Sequence, residues 1–261
     1  MKFFPLHVHS HYSLLDGLSK PKDIAKRCVE LDLDGSALTD HGTVSGAVAF
    51  VNAMKNKGKK PILGCEFYIC QEDPSEKSDR KTSHLVVLAK NAEGWQRLLE
   101  ATSESNKPEF FYYKPRLNLD SLAKFVDGNL VAFSGHMGSD LANIIFADPS
   151  EAYNARTYEE ARAMVSPTWL TDAKELALKH QNIFGEGNFF IEIQLIDQDN
   201  LPASRVVAEA LRFISKETGI PPVATPDAHY ARPEDAHDQR VLLCTAMDTT
   251  LKQVKEKMER Q

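Results

Sequence analysis

The feature that most constrains the fold is the alternation of short β-rich runs with helical patterns along the chain. Strand character occupies seven runs, at residues 3–8, 35–39, 62–70, 83–89, 129–134, 189–194 and 222–225. Helical patterns lie at about 21–31, 44–57, 91–105 and 148–182. The first has Ser19 as its predicted N-cap and Pro21 in its first turn. Such repeats predict parallel strands joined by right-handed crossovers, in a doubly wound sheet or a closed barrel.

Polar residues at the ends of the predicted strands favour the barrel. In this register His7, segment 39–41, Glu66, segment 134–136 and segment 227–229 lie at or just past the C-terminal ends of strands. That is the face on which (β/α) barrels build their sites. We therefore predict an α/β barrel with its functional residues at this face.

Composition excludes several classes of protein. The 261 residues include 31 Lys and Arg against 37 Asp and Glu, a net charge of −6, with 42% apolar and 26% charged residues. These values are ordinary for a globular protein and exclude disorder, collagen or coiled coil for the whole chain. No apolar run approaches a membrane span, and the start does not read as a signal peptide. Four separate cysteines, with no C-x-x-C pair, predict reduced cytoplasmic thiols.

The excess of acidic over basic residues argues against a protein that binds nucleic acid over its whole surface, because such proteins have an excess of basic residues. It does not exclude local phosphate binding, because bound metal ions add positive charge that residue counting misses.

The first candidate ligands are His7 and His9. On a strand, side chains at i and i+2 share one face, so both imidazoles can reach one metal. Asp16 follows in a loop whose Gly17 permits a tight turn, and it is either a ligand or a turn or helix-capping residue.

Two further segments place carboxylates in or just after buried strands, one of them beside a histidine. Asp40 precedes His41, where it can orient the imidazole, cap the following helix, or do both. Glu66 lies in an otherwise apolar strand, and a buried carboxylate needs a metal or a cation beside it.

The candidate ligands total nine. His84 opens one apolar strand and His136 closes another, while Asp227 and His229 repeat the i, i+2 spacing after the last strand. Nine groups exceed the needs of one ion, so two or three divalent ions fit better, and mixed His and carboxylate ligands suit Zn²⁺, Mn²⁺ or Fe²⁺. Clustered ions suit phosphoester hydrolysis, because they lower the pKa of a bound water and neutralise phosphoryl charge.

The motifs HVHSHYSLLDG, LTDHG, GCEFYI, SGH and PDAHY, with the isolated His84, resemble the PHP (polymerase and histidinol phosphatase) family. FFYYKPRLNLD and ARPEDAHDQRVLLC resemble the subfamily found in bacterial DNA polymerase III alpha subunits. The resemblance implies a distorted (β/α)₇ barrel with a trinuclear metal site at the C-terminal ends of the strands. It implies that the metal ligands are His7, His9, Asp16, His41, Glu66, His84, His136, Asp227 and His229.

The resemblance further implies that catalysis depends on Asp227, Glu66 and His41, with Glu66 and Asp227 as bridges between ions. Relatives often have SGC where this chain has SGH. Because His is a good ligand and every ligand position has a competent side chain, we expect an active site. The same resemblance implies a PHP domain over residues 1–246, with 247–261 as a charged helix or tail.

The leading functional prediction is a metal-dependent 3′→5′ exonuclease that proofreads beside a replicative polymerase in the cytoplasm. Its substrate would be a single-stranded DNA 3′ end, with Tyr12, Lys114 and Arg116 as candidate contacts. For Lys114 and Arg116 a solvated loop is the alternative. Polymerase domains or other replisome subunits are the expected partners, and no association with a membrane is expected. Two other functions stay open, namely a small-molecule phosphatase of histidinol-phosphate type and a non-catalytic platform of the polymerase.

Overall fold

The computed structural model describes residues 3–78, 80–194 and 201–253. The strands are β1 (Gly35–Leu38), β2 (Lys60–Ile69), β3 (Ser83–Ala89), β4 (Arg116–Leu117), β5 (Leu130–Phe133), β6 (Phe189–Gln194) and β7 (Pro222–Thr225). The helices are α1 (Pro21–Glu30), α2 (Ala47–Lys55), α3 (Ala92–Ser105), α4 (Leu119–Ala123), α5 (Asp140–Ile145), α6 (Pro149–Ala152), α7 (Tyr158–Ala163), α8 (Trp169–Phe184), α9 (Pro202–Thr218) and α10 (Ala236–Ala246). The chain divides into two compact units, the first comprising Met1–Cys65 with Asp227–Gln261 and the second Glu66–Pro226.

The first unit has a core between α1, α2 and the strand β1. β1 pairs in parallel with the start of β2, from Gly35 opposite Lys60 to Leu38 opposite Leu63. The buried side chains that make the core are Val8, Ile24, Ala25, Cys28, Leu38, Phe50 and Met54. Those in α1 and α2 come from one face of each helix, as an amphipathic helix against a sheet requires.

The strand predicted at residues 3–8 is wrong, because the segment contributes one bridge residue only. Val8 forms an isolated parallel bridge with Ala228. The segment does run beside β1, but the Val8 N–H donates to the side-chain oxygen of Thr39 at 2.9 Å instead of a backbone carbonyl. Pro5 supplies no N–H at all. The backbone ladder that defines a strand is therefore interrupted.

The second unit is built on a sheet with the order β2, β3, β5, β6, β7, and β4 pairs in parallel with β2. β5, β6 and β7 are parallel to one another, as predicted. The prediction of parallel strands throughout is wrong for β3, which pairs antiparallel with β5. The register places Val86 opposite Phe133, so the start of β3 lies at the C-terminal end of β5. His84 therefore lies at the same end of these two strands as His136.

Helices of the second unit bury small and apolar faces against this sheet. α9 buries Val206, Val207, Leu211 and Ile214 and ends at Gly219, whose φ of 73° is the left-handed conformation that glycine adopts without strain. The segment predicted as helical at 148–182 contains α6, α7 and most of α8.

The start of the first helix differs from the prediction by one residue. Lys20 is the N-cap of α1 in place of Ser19, and Pro21 opens the helix. Among the helices that the structure describes, none combines the length and the apolar character needed to cross a membrane. Residues 254–261, the end of the predicted C-terminal helix or tail, lie outside the described residues.

Candidate metal centre

One parallel bridge in the first unit organises four of the nine candidate ligands. The His9 N–H donates to the Ala228 carbonyl at 2.8 Å, and the Ala228 N–H donates to the His7 carbonyl at 3.2 Å. Each bridge partner is flanked on both sides by candidate ligands. The bridge therefore brings together His7, His9, Asp227 and His229, two pairs that are 218 or more positions apart in sequence.

Asp227 lies between two imidazoles. Its Oδ1 atom is 3.3 Å from His7 Nε2 and 3.4 Å from His9 Nε2. Burial alone would raise the pKa of Asp227, but attraction to the imidazoles of His7, His9 and His229 holds that pKa well below its ordinary value. The backbone of Asp227 has a φ of 47°, which is uncommon for a residue other than glycine.

Asp16 lies between two other imidazoles. Its Oδ2 atom is 3.0 Å from His41 Nε2 and 3.3 Å from His229 Nε2. Burial acts to raise the pKa of Asp16, and hydrogen bonds from His229 and His41 outweigh it, so the pKa is well below its ordinary value. For His229, burial acts to lower the pKa and the hydrogen bond to Asp16 raises it overall. Asp16 is not the cap of α1, because Lys20 occupies that position.

Asp40 supports this cluster through two serines. Its carboxylate accepts hydrogen bonds from the Ser10 N–H at 2.7 Å, the Ser10 hydroxyl at 2.9 Å and the Ser13 hydroxyl at 2.7 Å. The Ser13 oxygen lies 3.0 Å from His9 Nδ1 and accepts from the His41 N–H at 3.2 Å. The alternative that Asp40 caps the next helix is wrong, since the N-cap of α2 is Gly46.

The second unit holds the other three candidate ligands. Glu66 is buried within β2, short of the strand end where it was predicted, and its Oε1 atom is 2.9 Å from His84 Nδ1. The His84 ring meets the edge of the Tyr68 ring, with centroids 5.3 Å apart. His136 is buried, and the backbone N–H of His84 donates to Gly138 in the turn that follows it.

The candidate substrate contacts differ in position. Tyr12 in the first unit is half-buried, with its ring 4.5 Å from that of His11. In the second unit, Lys114 is exposed and its Nζ lies 4.3 Å above the ring of Tyr68.

The structure contradicts the prediction that Arg116 contacts the substrate. The side chain is 1% exposed, and its Nη2 donates to the carbonyls of Pro74 at 2.8 Å and Glu76 at 2.9 Å. The solvated-loop alternative is equally wrong for this residue. Its guanidinium holds a loop in place.

The donor set of the first unit fits a divalent ion. His9, His41 and His229 each offer one nitrogen, and these three atoms all lie within 4.8 Å of one another. The carboxylates of Asp16 and Asp227 add oxygen donors beside them. Imidazole with carboxylate is the ligand chemistry of Zn²⁺, Mn²⁺ and Fe²⁺ sites.

Sequence reasoning could name no partner for Ser13 and overlooked Glu192. Ser13 gives no local signal, since its role depends on Asp40, 27 positions away. Glu192 did give a signal, because it stands with Gln194 in the otherwise apolar strand FFIEIQ, just as Glu66 stands in GCEFYI. A buried carboxyl group in a strand requires partners in both cases.

Comparison with known proteins adds the following similarities. The family model of the PHP domain matches residues 5–195. The DNA polymerase III subunit alpha of Helicobacter pylori is 37% identical over 253 residues, covering 95% of this chain and 19% of that protein. The corresponding Thermus aquaticus protein is 35% identical over 261 residues, covering 96% of this chain and 19% of its own length. The chain thus spans about a fifth of the length of these curated relatives.

Among solved structures, a protein of Bifidobacterium adolescentis assigned as a metal-dependent phosphoesterase matches with a TM-score of 0.50 and 14% identity. The match covers 89% of this chain and 90% of that one. At this identity the likeness concerns the fold. It confirms the predicted α/β class of distorted barrels.

Proposed function

The chain belongs to the PHP domain family, and from that premise we propose that it is a metal-dependent phosphodiesterase. More specifically, we assign it a 3′→5′ exonuclease activity that removes nucleotides beside a replicative DNA polymerase. Similarity to DNA polymerase III alpha subunits over 95% of the chain supports the association with a polymerase.

The observation that carries the proposal is the cluster of imidazoles and carboxylates in the first unit. Three histidine nitrogens lie within 4.8 Å of one another, and two carboxylates with lowered pKa values lie against them. Bound divalent ions would supply an activated water and neutralise charge on the phosphoryl oxygens. The residues that would hold them here are His7, His9, Asp16, His41, Asp227 and His229.

The chain's own contribution is to orient these donors before any substrate arrives. Ser13, held by Asp40, contacts His9 on its Nδ1 side and leaves Nε2 facing Asp227. Asp16 is positioned in turn by His41 and His229. Preorganised donors of this kind reduce the reorganisation that metal binding and transition-state stabilisation would otherwise require.

The ligand set that the family implies also includes Glu66, His84 and His136, and we assign catalytic importance to Asp227, Glu66 and His41. Tyr12 and Lys114 are the proposed contacts for a single-stranded DNA 3′ end, since an aromatic ring and an exposed cation suit a base and a phosphate. The proposed domain covers residues 1–246, ending with α10 at Ala246, and polymerase domains or other replisome subunits are its proposed partners.

The test is degradation of 5′-labelled single-stranded DNA by the purified chain, with Mn²⁺ or Zn²⁺ and with a chelator. We expect a ladder that shortens from the 3′ end, depends on metal and is absent in Asp227→Asn. No cleavage of DNA, with turnover of a simple phosphomonoester, would favour the small-molecule phosphatase. If neither substrate is cleaved while chelation lowers the melting temperature, the chain is a structural platform.

A further inference from the structure

Glu192 is a fully buried carboxyl group outside the nine candidate ligands. It lies in the middle of β6 with no exposed surface. Side chains alternate along a strand, so Glu192 and Gln194 share one face while Ile191 and Ile193 share the other. A carboxyl group removed from water is costly unless neighbouring groups bond to it. Its partners therefore indicate why the strand contains it.

The side chain of Glu192 binds the end of β7. The Thr225 hydroxyl donates to Glu192 Oε1, and Gln194 Nε2 donates to the same oxygen at 2.9 Å. β6 and β7 are parallel, with Glu192 opposite Val223, so Thr225 is the next residue of β7 on that face. Thr225 is the last residue of the strand and stands two positions before Asp227.

The main chain of Glu192 binds the end of β5. Its N–H donates to the Ser134 hydroxyl oxygen at 2.9 Å, one position after β5 ends and two before His136. The hydrogen bond before it is an ordinary backbone bond between parallel strands, in which the Ser134 N–H donates to the Phe190 carbonyl at 3.0 Å. The backbone then turns away at Gly135, whose φ is 74°, and the serine hydroxyl takes the bond that a carbonyl would accept in a continuing ladder.

We infer that Glu192 is a positioning residue that fixes where the segments carrying His136 and Asp227 leave the sheet. The N–H of Glu192 is bonded to Ser134, one residue past the end of β5, and its carboxylate is bonded to Thr225, the last residue of β7. Hydrogen bonds of this kind are directional. Glu192 is not one of the nine candidate ligands, and we assign it no contact with the substrate. The inference rests on the proposed function, because the exits of these strands matter for activity only if the ligands bind metal.

The test compares metal affinity in the whole chain, measured by titration calorimetry with Mn²⁺ after chelator treatment. Thr225→Val keeps the shape of the side chain and removes the hydroxyl, and Glu192→Leu removes the acceptor. We expect each to raise the Mn²⁺ dissociation constant about 10- to 100-fold, the range for residues that orient metal ligands. The double variant should be no weaker than the weaker single variant, because both changes remove the same hydrogen bond between Thr225 and Glu192. Thr225→Ser should restore affinity.

The matched control is Ser215→Ala, which removes another buried hydroxyl bond of the second unit, to the Ile220 carbonyl at 2.7 Å. It should lower thermal stability as Thr225→Val does and leave Mn²⁺ affinity unchanged. Two results would overturn the role of Glu192 and leave the proposed function standing. One is a folded Thr225→Val whose Mn²⁺ affinity is within twofold of wild type, and the other is a double variant in which the two single effects multiply. If Glu192→Leu fails to fold, Thr225→Val with its serine rescue decides. A wild-type chain that binds no metal would overturn the proposed function and this inference together.

Discussion

The Ser13 hydroxyl lies 3.0 Å from the Nδ1 atom of His9, and its own hydrogen is donated to Asp40 at 2.7 Å. Because that hydrogen is committed, the serine oxygen accepts from His9, so the network assigns the proton of the neutral imidazole to Nδ1. The Nε2 lone pair is then available to a metal ion. A serine between a carboxylate and a histidine thus performs the task that a carboxylate often performs directly.

Removal of this hydroxyl in Ser13→Ala is expected to raise the metal dissociation constant about 10- to 100-fold, because both imidazole tautomers become accessible. Calorimetric titration of Mn²⁺ measures it. Ser45→Ala is the matched control, since it removes an exposed hydroxyl that is bonded to Thr43. Equal affinities in wild type and Ser13→Ala would show that His9 is oriented by other contacts.

Asp227→Asn keeps the side-chain shape and removes the charge that faces His7 and His9. We expect hydrolysis of single-stranded DNA to fall at least about 100-fold, because metal ions supply several kcal/mol of transition-state stabilisation. Circular dichroism should show an unchanged fold. Asp172→Asn, which alters a carboxylate bonded to Thr168, serves as the control. Wild-type turnover by Asp227→Asn would exclude this cluster as the active site.

Metal binding should stabilise the folded chain. At a free metal concentration 100 times the dissociation constant the added stability is about 2.7 kcal/mol, which raises the melting temperature by about 5–10 °C. Differential scanning fluorimetry with Mn²⁺ and with chelator measures the shift. His41→Ala should lose most of it, because His41 supplies one of the three clustered nitrogens. A melting temperature unaffected by metal in the wild type would contradict the proposed site.

Substitutions of Arg116 and Lys114 should separate an effect on stability from an effect on substrate binding. Arg116→Met removes buried bonds to the carbonyls of Pro74 and Glu76, so we expect the free energy of unfolding in urea to fall by at least about 2 kcal/mol. Lys114→Met, at an exposed position, should change stability by less than about 0.5 kcal/mol and raise the KM for oligonucleotides. An Arg116→Met protein of wild-type stability with a raised KM would restore Arg116 as a substrate contact.

His180 should make the fold sensitive to mild acid. Burial lowers the pKa of His180, whose Nδ1–H donates to the Leu176 carbonyl and whose ring stacks on Phe189. Its pKa in the unfolded chain is about 6.5, so below that pH the unfolded state binds more protons and stability falls, by at most about 1.4 kcal/mol per pH unit.

Replacement of His180 by Phe keeps the stacked ring and should reduce the loss of unfolding free energy between pH 7 and pH 5. Urea denaturation at both pH values, in wild type and variant, provides the comparison. Parallel pH dependence in the two proteins would mean that other groups cause the acid sensitivity.

Much of the secondary structure was predictable because its signals are local. The predicted strand at 83–89 coincides with β3, and the helix predicted at 91–105 is α3 with its N-cap Asn91, whose side chain accepts from the Gly94 N–H. The chemistry of the candidate ligands was also readable, since H-x-H and D-x-H spacings place two side chains on one face whatever lies around them.

The sequence by itself determined which residues are ligand types and which segments form most strands and helices, because side-chain chemistry and alternation are properties of neighbouring residues. Only the tertiary structure decided that β3 runs antiparallel to β5, which brings His84 to the end of β5 that precedes His136. It also decided that Arg116 is buried against distant carbonyls and that residues 3–8 form a single bridge. Strand direction and hydrogen-bond partners depend on residues far apart along the chain, so a local pattern carries no record of them.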